Sequence, residues 1–401
     1  METRPATSQG STLFLPILLG STAFAILEFV LPVYGKRLGA SALEIGGMFS
    51  IFAVTMTLVR PLVGWAMDRF GRKRFLILAL LCRAGSLVLF ALAHDVTGLY
   101  LARLAQGIAA SLTWISAYAI AADLAPPDAR GSAAGRVDEA SARGGLYGAL
   151  VGFTVLGWIP LYTGWPILFA GYALLAAVGA WLVWRNVPET LPARPDRVEQ
   201  QRTVVSGALL RLMVIVFVTG ASMAMASPLL LILLQDKFTT EVSLLAMAFI
   251  PAALVNSFLP SRLGRLSDRF GRAPLMAAGL AGSGLVSLFL PGLPAMGWLV
   301  ALWVLEAVGW AMAAPAQEAL VADLTGRETR GTGYGLYSFA SSLGATFGPL
   351  LGGWLYDAAG HAVPFYLNGI VLLVGAIWVL ALLSGPARPR VVSEPSGPAS
   401  S

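Results

Sequence analysis

Gly64-Trp-Ala-Met-Asp-Arg-Phe-Gly-Arg-Lys-Arg74 and Gly264-Arg-Leu-Ser-Asp-Arg-Phe-Gly-Arg-Ala-Pro274 share one run, so that Asp68 to Arg72 recur as Asp268 to Arg272, 200 positions on. The same offset returns Ala122-Asp123-Leu124 as Ala322-Asp323-Leu324, Arg130-Gly131 as Arg330-Gly331, and Gly148 and Gly152 as Gly348 and Gly352. Shared hydrophobic composition does not produce ungapped matches of charged residues and glycines. The chain is read as two copies of one unit of about 200 residues.

Composition says where that unit lives. Only 12% of the 401 residues are charged and 57% are hydrophobic, whereas a soluble chain carries roughly a quarter charged residues. Twelve bilayer-spanning helices of about 20 residues would take ~240 residues, which the hydrophobic share can supply. A mean hydropathy of +0.75 excludes a disordered protein, and the single cysteine, Cys82, excludes a disulfide framework. Apolar runs fall at 12–34, 42–66, 74–93, 97–122, 132–158, 165–185, 207–233, 241–263, 273–293, 296–322, 331–356 and 362–384. They are called spans 1 to 12. Span 1 is too long for a cleaved leader, contains Glu28 and lacks a small-residue cleavage site. Pro32, Pro228, Pro251 and Pro315 fall inside spans, where neighbouring helices can satisfy freed backbone groups.

Basic residues collect after the even-numbered spans: Arg69, Arg72, Lys73 and Arg74, then Arg130 and Arg136, Arg194, Arg197 and Arg202, Arg265, Arg269 and Arg272, and Arg327 and Arg330. The opposite loops hold Lys36, Arg37 and Lys237. This bias predicts a multi-pass protein of the cell (inner or plasma) membrane with both termini in the cytoplasm. It also accounts for the net charge of +6 without nucleic acid, which would need a basic face with base-reading elements. The reading divides the chain into a six-helix bundle over 1–185, a charged, proline-containing cytoplasmic linker over 186–206, a second bundle over 207–384 and a disordered tail over 385–401. Duplicated six-helix units keep one orientation and are related by an axis along the membrane normal, with a substrate site near the midplane between them.

The repeated loop, Gly64-x-x-x-Asp68-Arg69-x-Gly71-Arg72-Lys73 between spans 2 and 3, resembles the signature of the major facilitator superfamily. The resemblance covers all twelve spans. It implies an all-α membrane fold of two six-helix bundles related by a pseudo-twofold, and transport by alternating access. It further implies a cytoplasmic gate of ion pairs, closed when the cavity faces outward, built from Gly64, Asp68, Arg69, Gly71, Arg72, Asp123 and Arg130 with Asp268, Arg269, Asp323 and Arg330. The glycines would permit a tight turn and close helix approach.

A narrower resemblance is to the drug:proton antiporter branch. Leu99-x-x-x-Arg103-x-x-Gln106-Gly107 in span 4 is similar to its intramembrane-arginine signature, and Glu28, four residues before Pro32, occupies a place where some multidrug antiporters carry an essential acid. An ionisable group at such depth is expensive unless paired or facing water, so it is functional by default. Glu28 facing Arg103 could release a proton on one side and reload on the other, and a static ion pair joining spans 1 and 4 is the competing reading. The branch's Gly-Pro-x-x-Gly-Gly segment is incomplete in span 5, Gly148-Ala149-Leu150-Val151-Gly152-Phe153, and complete in span 11, Gly348 to Gly353. Glu306 in span 10, at the position equivalent to Gln106, is a candidate second protonation site. Glu139 and Arg143 are four apart and can pair along one helix face. Asp138 adjoins them, Arg60 and Glu318 are expected to join the gate, and Arg83 predicts an unseen acidic partner in the first half.

Candidate cavity residues are Phe24, Trp114, Tyr118, Met223, Met225 and Trp310, whose side chains adapt to bulky lipophilic ligands. Polar cargo would instead call on Asn256, Gln317 and Gln235. His94 and His361 lie at outer helix ends with no metal-ligand spacing, and no phosphate-cradling glycine loop occurs. An enzyme, a metal and a cofactor are all unsupported. The chain reads as a monomeric secondary transporter whose partners are a small-molecule substrate, protons and the bilayer, and as a proton-coupled antiporter exporting lipophilic or amphipathic molecules. Export or symport of a sugar, organic acid or lipid, and a non-transporting membrane sensor, are the alternatives.

Overall fold

A computed structural model describes residues 12–126, 130–190, 206–238, 269–325 and 330–383, with a few isolated positions between 244 and 259. Among these the chain is helical, without a strand. In order the helices are α1 (Phe14–Gly20), α2 (Ala23–Arg37), α3 (Ala42–Phe70), α4 (Arg72–Leu92), α5 (Val96–Leu124), α6 (Arg130–Trp158), α7 (Leu161–Asn186), α8 (Gly207–Lys237), α9 (Arg272–Phe289), α10 (Met296–Leu324), α11 (Arg330–Ala359) and α12 (Val363–Leu383). A 3₁₀ turn, Leu290–Gly292, extends α9. Eleven spans therefore have their helices within a few residues of the apolar runs, with span 1 divided between α1 and α2. Most of span 8, Asn256, the Asp268 loop, the linker from 191 to 205 and the tail from 384 lie outside the described residues.

Among the described residues nine segments are long and apolar enough to cross a membrane. Two helices fall short. α6 carries Arg136, Asp138, Glu139 and Arg143, and α11 is rich in glycine, serine and threonine.

Helix starts follow local chemistry. Ser41 and Glu44 form a reciprocal capping box at α3, Asp95 accepts from Gly98 N at 2.7 Å at α5, and Ser206 accepts from Leu209 N at 3.2 Å at α8. Between α3 and α4 the chain reverses on Gly71 at φ +105°, and the repeated loop does so on Gly271 at φ +92°. Other residues rarely adopt that conformation, so these two glycines of the repeat are conformational requirements. Gly64 is different: a side chain added there would meet open space, which corrects the expectation that it allows close helix approach.

The glycines of α6 explain how the first bundle closes. Span 1 breaks at Ser21 and Thr22, both buried, where Thr22 Oγ1 donates to Leu19 O at 3.0 Å. α6 lies directly against that break. A Cβ on Gly144 would collide with Leu18 O, one on Gly148 with Thr22 O, and one on Gly152 with Ile26. The second bundle repeats the device, with Gly344 and Gly348 against Ala221 and Gly352 against Met225 of α8. Glycine every fourth residue clears one helix face for a neighbouring backbone.

The second bundle's extra Pro349 and Gly353 have a separate task. Gly46 of α3 packs on Pro349 O, and Gly353 packs on Ala42 O and Leu43. The full Gly-Pro-x-x-Gly-Gly segment thus serves two interfaces, α8 inside its own half and α3 across the halves. In α6 the corresponding final position is Phe153, whose ring packs 6.0 Å from Phe29 of α2.

Gly148→Ala should lower stability by about 1–3 kcal/mol through overpacking against Thr22 O. Gly157→Ala, which enters open space, should leave the detergent-solubilised unfolding midpoint nearly unchanged. Equal midpoints for the two variants would contradict the packing described.

Candidate functional site: a buried ion pair, a cavity and two ends

The bundle end bearing the repeated Asp-Arg-Phe-Gly-Arg loops is called the basic end, and the other the far end. Seven residues in from the far end of α5, Arg103 is completely buried. Its Nη1 donates to Gln106 Oε1 at 2.9 Å and stands 3.9 Å from Glu28 Oε1. The guanidinium lies over Phe49 and Phe52 of α3, 4.3 and 5.2 Å from the ring centroids. Nε and Nη2 have no hydrogen-bond partner among the described residues. Gly107 makes the arrangement possible, because a Cβ there would strike Phe52 O and Thr55. α3 can therefore approach closely enough for its rings to reach the cation. Glu28 faces Arg103 across this gap with 41% of its side chain exposed.

A cavity of about 340 Å³ opens in the second half between α8, α9, α10 and α12. Glu306, Trp310 and Met223 line it, together with Trp303, Ser227 and Asn368. Met225 does not. It is buried, its Cγ lies against Gly352, and the sequence-based choice of it as a cavity residue is corrected by that helix contact. Phe24 is 42% exposed. Trp114 and Tyr118 stack on each other at 5.6 Å, and Tyr118 donates to Asp138, which gives that acid its partner.

At the basic end, Arg72 pairs with Asp123 in the first half and Arg272 with Asp323, at 2.8 Å, in the second. The 200-residue repeat in sequence is therefore a repeated ion pair in space, each confined to its own half. Arg69 lies beside Trp65 and Phe70, and Arg269 beside Phe270. The side chains of Asp68, Arg130 and Arg330, and all of Asp268, are outside the described residues. Arg60 Nη1 donates to Ser338 Oγ of α11 at 3.1 Å, bridging the halves, while Glu318 is exposed. Glu139 and Arg143 pair along α6 as expected. Gln317 Nε2 donates to Tyr337 at 3.3 Å, and Gln235 Oε1 is buried without a partner among the described residues. Arg83 is buried with its Nε unpartnered and pairs with no acid among the described residues, against the expectation of one.

Sequence reasoning missed three acids. Glu189 accepts from Arg72 N at 2.8 Å and Lys73 N at 3.3 Å, so the start of the linker caps α4. At the far end Asp357 accepts from Leu43 N at 2.8 Å and Ala42 N at 3.3 Å across the halves. Asp236 pairs with Lys36, also across the halves, and accepts from Tyr356 at 2.9 Å. One signal was available for Asp357. A carboxylate in the last turn of its own helix is unfavourable there, and becomes favourable when it caps another helix's amino end.

Residues 13–214 and 212–400 each match the sequence profile described as Major Facilitator Superfamily. The chain belongs to this superfamily. It is a multi-pass membrane transporter rather than an enzyme. Multidrug resistance protein 1 of Bacillus subtilis (strain 168) is 27% identical over 379 residues, covering 92% of this chain and 95% of the relative. Multidrug resistance protein MdtH of Yersinia pestis (strain Pestoides F) is 26% identical over 397 residues, with 92% and 95% covered. Among solved structures, a bacterial homologue of the human lysosomal transporter Spinster superposes with a TM-score of 0.79 at 17% identity, covering 95% of this chain and 97% of that one. The nucleoside transporter NupG gives 0.73 at 14% identity, with 94% and 100% covered. These two likenesses carry the superfamily's fold.

Asp357→Ala removes the cap that α11 supplies to α3. It should weaken the far-end closure by about 0.5–2 kcal/mol. Spin labels at Thr97 and Ala358 in a Cys82→Ser background should then report a larger population of long distances. An unchanged distance distribution would show that the cap does not hold the halves together.

Proposed function

We propose that the chain is a proton-coupled antiporter that exports lipophilic or amphipathic small molecules by alternating access, as a monomer in the cell membrane. The observation that carries the reading is Glu28 standing 3.9 Å from the fully buried Arg103. At 3.9 Å the two charges attract without a direct hydrogen bond, so protonating Glu28 releases the acid while Arg103 keeps Gln106 and two aromatic faces. Arg103 is thereby a fixed positive charge against which one proton can be exchanged. The relatives, which are multidrug resistance proteins by name, support a drug-like cargo.

With the basic end and both termini in the cytoplasm, as the bias of basic loops suggests, the far-end contacts of Asp357, Asp236 and Lys36 close the outer side. The state described is then the inward-facing one. The gate of Asp68, Arg69, Arg72, Asp123, Arg130 and their repeats engages across the halves in the opposite state. Its described ion pairs stay within each half here, which is what an open gate requires.

Purified protein in liposomes should move a lipophilic dye against its gradient when a pH difference is imposed, and Glu28→Gln should reduce that driven flux to background while the protein still folds. Equal wild-type flux with and without the pH difference would remove proton coupling. Arg103→Lys keeps the charge but loses the planar face over Phe49 and Phe52, an interaction of about 0.5–2 kcal/mol. Driven flux should fall several-fold in that variant, and full activity would show that charge alone suffices.

A further inference from the structure

Away from the ion pair and the larger cavity, α8 and α12 enclose a second opening. It is a cleft of about 130 Å³ that shares no lining residue with the cavity of about 340 Å³. Its floor is the contact of Thr219 with Gly375, where an added Cβ would come within 2.7 Å of the threonine methyl. Ile215 and Val218 form one wall, and Ile370, Val374 and Trp378 the other. The last three are 53%, 43% and 42% exposed, so the cleft opens on the outer surface of the bundle, which the bilayer covers. Thr219 supplies the one hydroxyl of the lining, and it donates to Ile215 O at 2.7 Å. The walls are left apolar, as contact with hydrocarbon requires.

A cation stands at the mouth of this cleft. Arg211, Ile215 and Val218 follow one another at i, i+4 and i+7, so they share one face of α8. Arg211 is exposed and makes no ion pair or hydrogen bond among the described residues. It lies about 6 Å nearer the basic end than Ile215, by the rise of an α-helix. Trp378 is the lining residue of α12 nearest the same end, and tryptophan is enriched at the level where hydrocarbon meets headgroups. The first half lacks this combination. It carries Leu175 where the repeat has Gly375, and no lysine or arginine between Arg4 and Lys36 to correspond to Arg211. Glycine and cation occur together in the second half alone.

An apolar cleft open to the bilayer, with an exposed cation one helical turn nearer the membrane surface, matches a molecule that joins an acyl chain to an anionic headgroup. We propose that the α8–α12 cleft binds one anionic phospholipid from the leaflet at the basic end. Its phosphate sits on Arg211, and part of an acyl chain lies between Ile215, Val218, Val374 and Trp378. A zwitterionic phospholipid offers the same chain, but its own ammonium group competes with Arg211 for the phosphate, so it binds less well. Both helices belong to the second half, so the lipid braces that bundle and travels with it as the halves rock. The site needs neither proton coupling nor an assigned cargo.

The test is native mass spectrometry of the full chain released from nanodiscs of equal parts phosphatidylglycerol and phosphatidylethanolamine. The unmodified chain should retain one phosphatidylglycerol. Arg211→Gln should lower the retained fraction about fivefold, the scale of one basic residue's attraction to an anionic membrane surface, and Arg211→Lys should keep most of it. Val374→Trp, which fills the cleft from an exposed position, should also lower it. Arg185→Gln removes another exposed arginine, one that lies beside Trp181, and should change nothing. No lipid on the unmodified chain, unchanged retention in either Arg211→Gln or Val374→Trp, an equal loss in Arg185→Gln, or paired chains in place of a lipid adduct would each overturn the assignment. A phosphatidylglycerol carrying a photoreactive acyl chain should crosslink, on the unmodified chain, to peptides containing 215–219 or 370–378. Crosslinks confined to other helices would overturn it even if no variant folds.

Discussion

A guanidinium enclosed by helices has to be neutralised from within, and the first half of this transporter is organised around doing so for Arg103. Moving a charge out of water is costly, and the surroundings offset that cost only with good geometry. Here the offsetting groups come from three helices: Gln106 from the arginine's own helix α5, Glu28 from α2, and the faces of Phe49 and Phe52 from α3. Neither Glu28 nor the two rings reaches Arg103 unless the helices lie close. Gly107 gives α3 that access. The arginine thus links the packing of the bundle to the chemistry of the site, and a change in either is felt by the other.

The duplicated halves differ where their chemistry differs. Near the basic end they remain alike: a positive-φ glycine starts α4 and α9, and an arginine one residue later pairs with an acid at the end of α5 or α10. Glycine stripes on α6 and α11 receive α1–α2 and α8 in the same register. Deeper in the bundle the likeness stops, since Arg103 faces a carboxylate where Trp303 lines a cavity. Shared architecture therefore accounts for the turns and helix seams, and local substitution accounts for what each half can bind.

The far end shows how a closed state can be held with few contacts. Asp357 caps α3 from the other half, and Asp236 joins Lys36 and Tyr356. Close backbone approach at Gly46 and Gly353 excludes bulk between α3 and α11. Caps and exposed ion pairs are each modest in strength, so such a closure can be broken by a small difference in ligand affinity between the two states. That is what alternating access needs.

Much of this was legible in the linear chain. Hydrophobic run lengths located the eleven spans that the structure describes, the repeat located the two halves, and the placement of Glu28, Arg103 and Glu306 marked the charges that hydrocarbon cannot tolerate unpartnered. These readings work because span length, duplication and intramembrane charge are properties of composition and spacing. Partner choice is not such a property. Asp357, Asp236 and Glu189 look like ordinary loop or helix-end acids until folding brings a foreign helix end or a lysine within reach, and Met225 looks like a cavity residue until Gly352 closes over it. Arg83 is the reverse case, a charge whose inferred acid is missing among the described residues. Which groups meet across 117 to 315 residues of sequence depends on helix rotation and crossing, and only the packed bundle decides those.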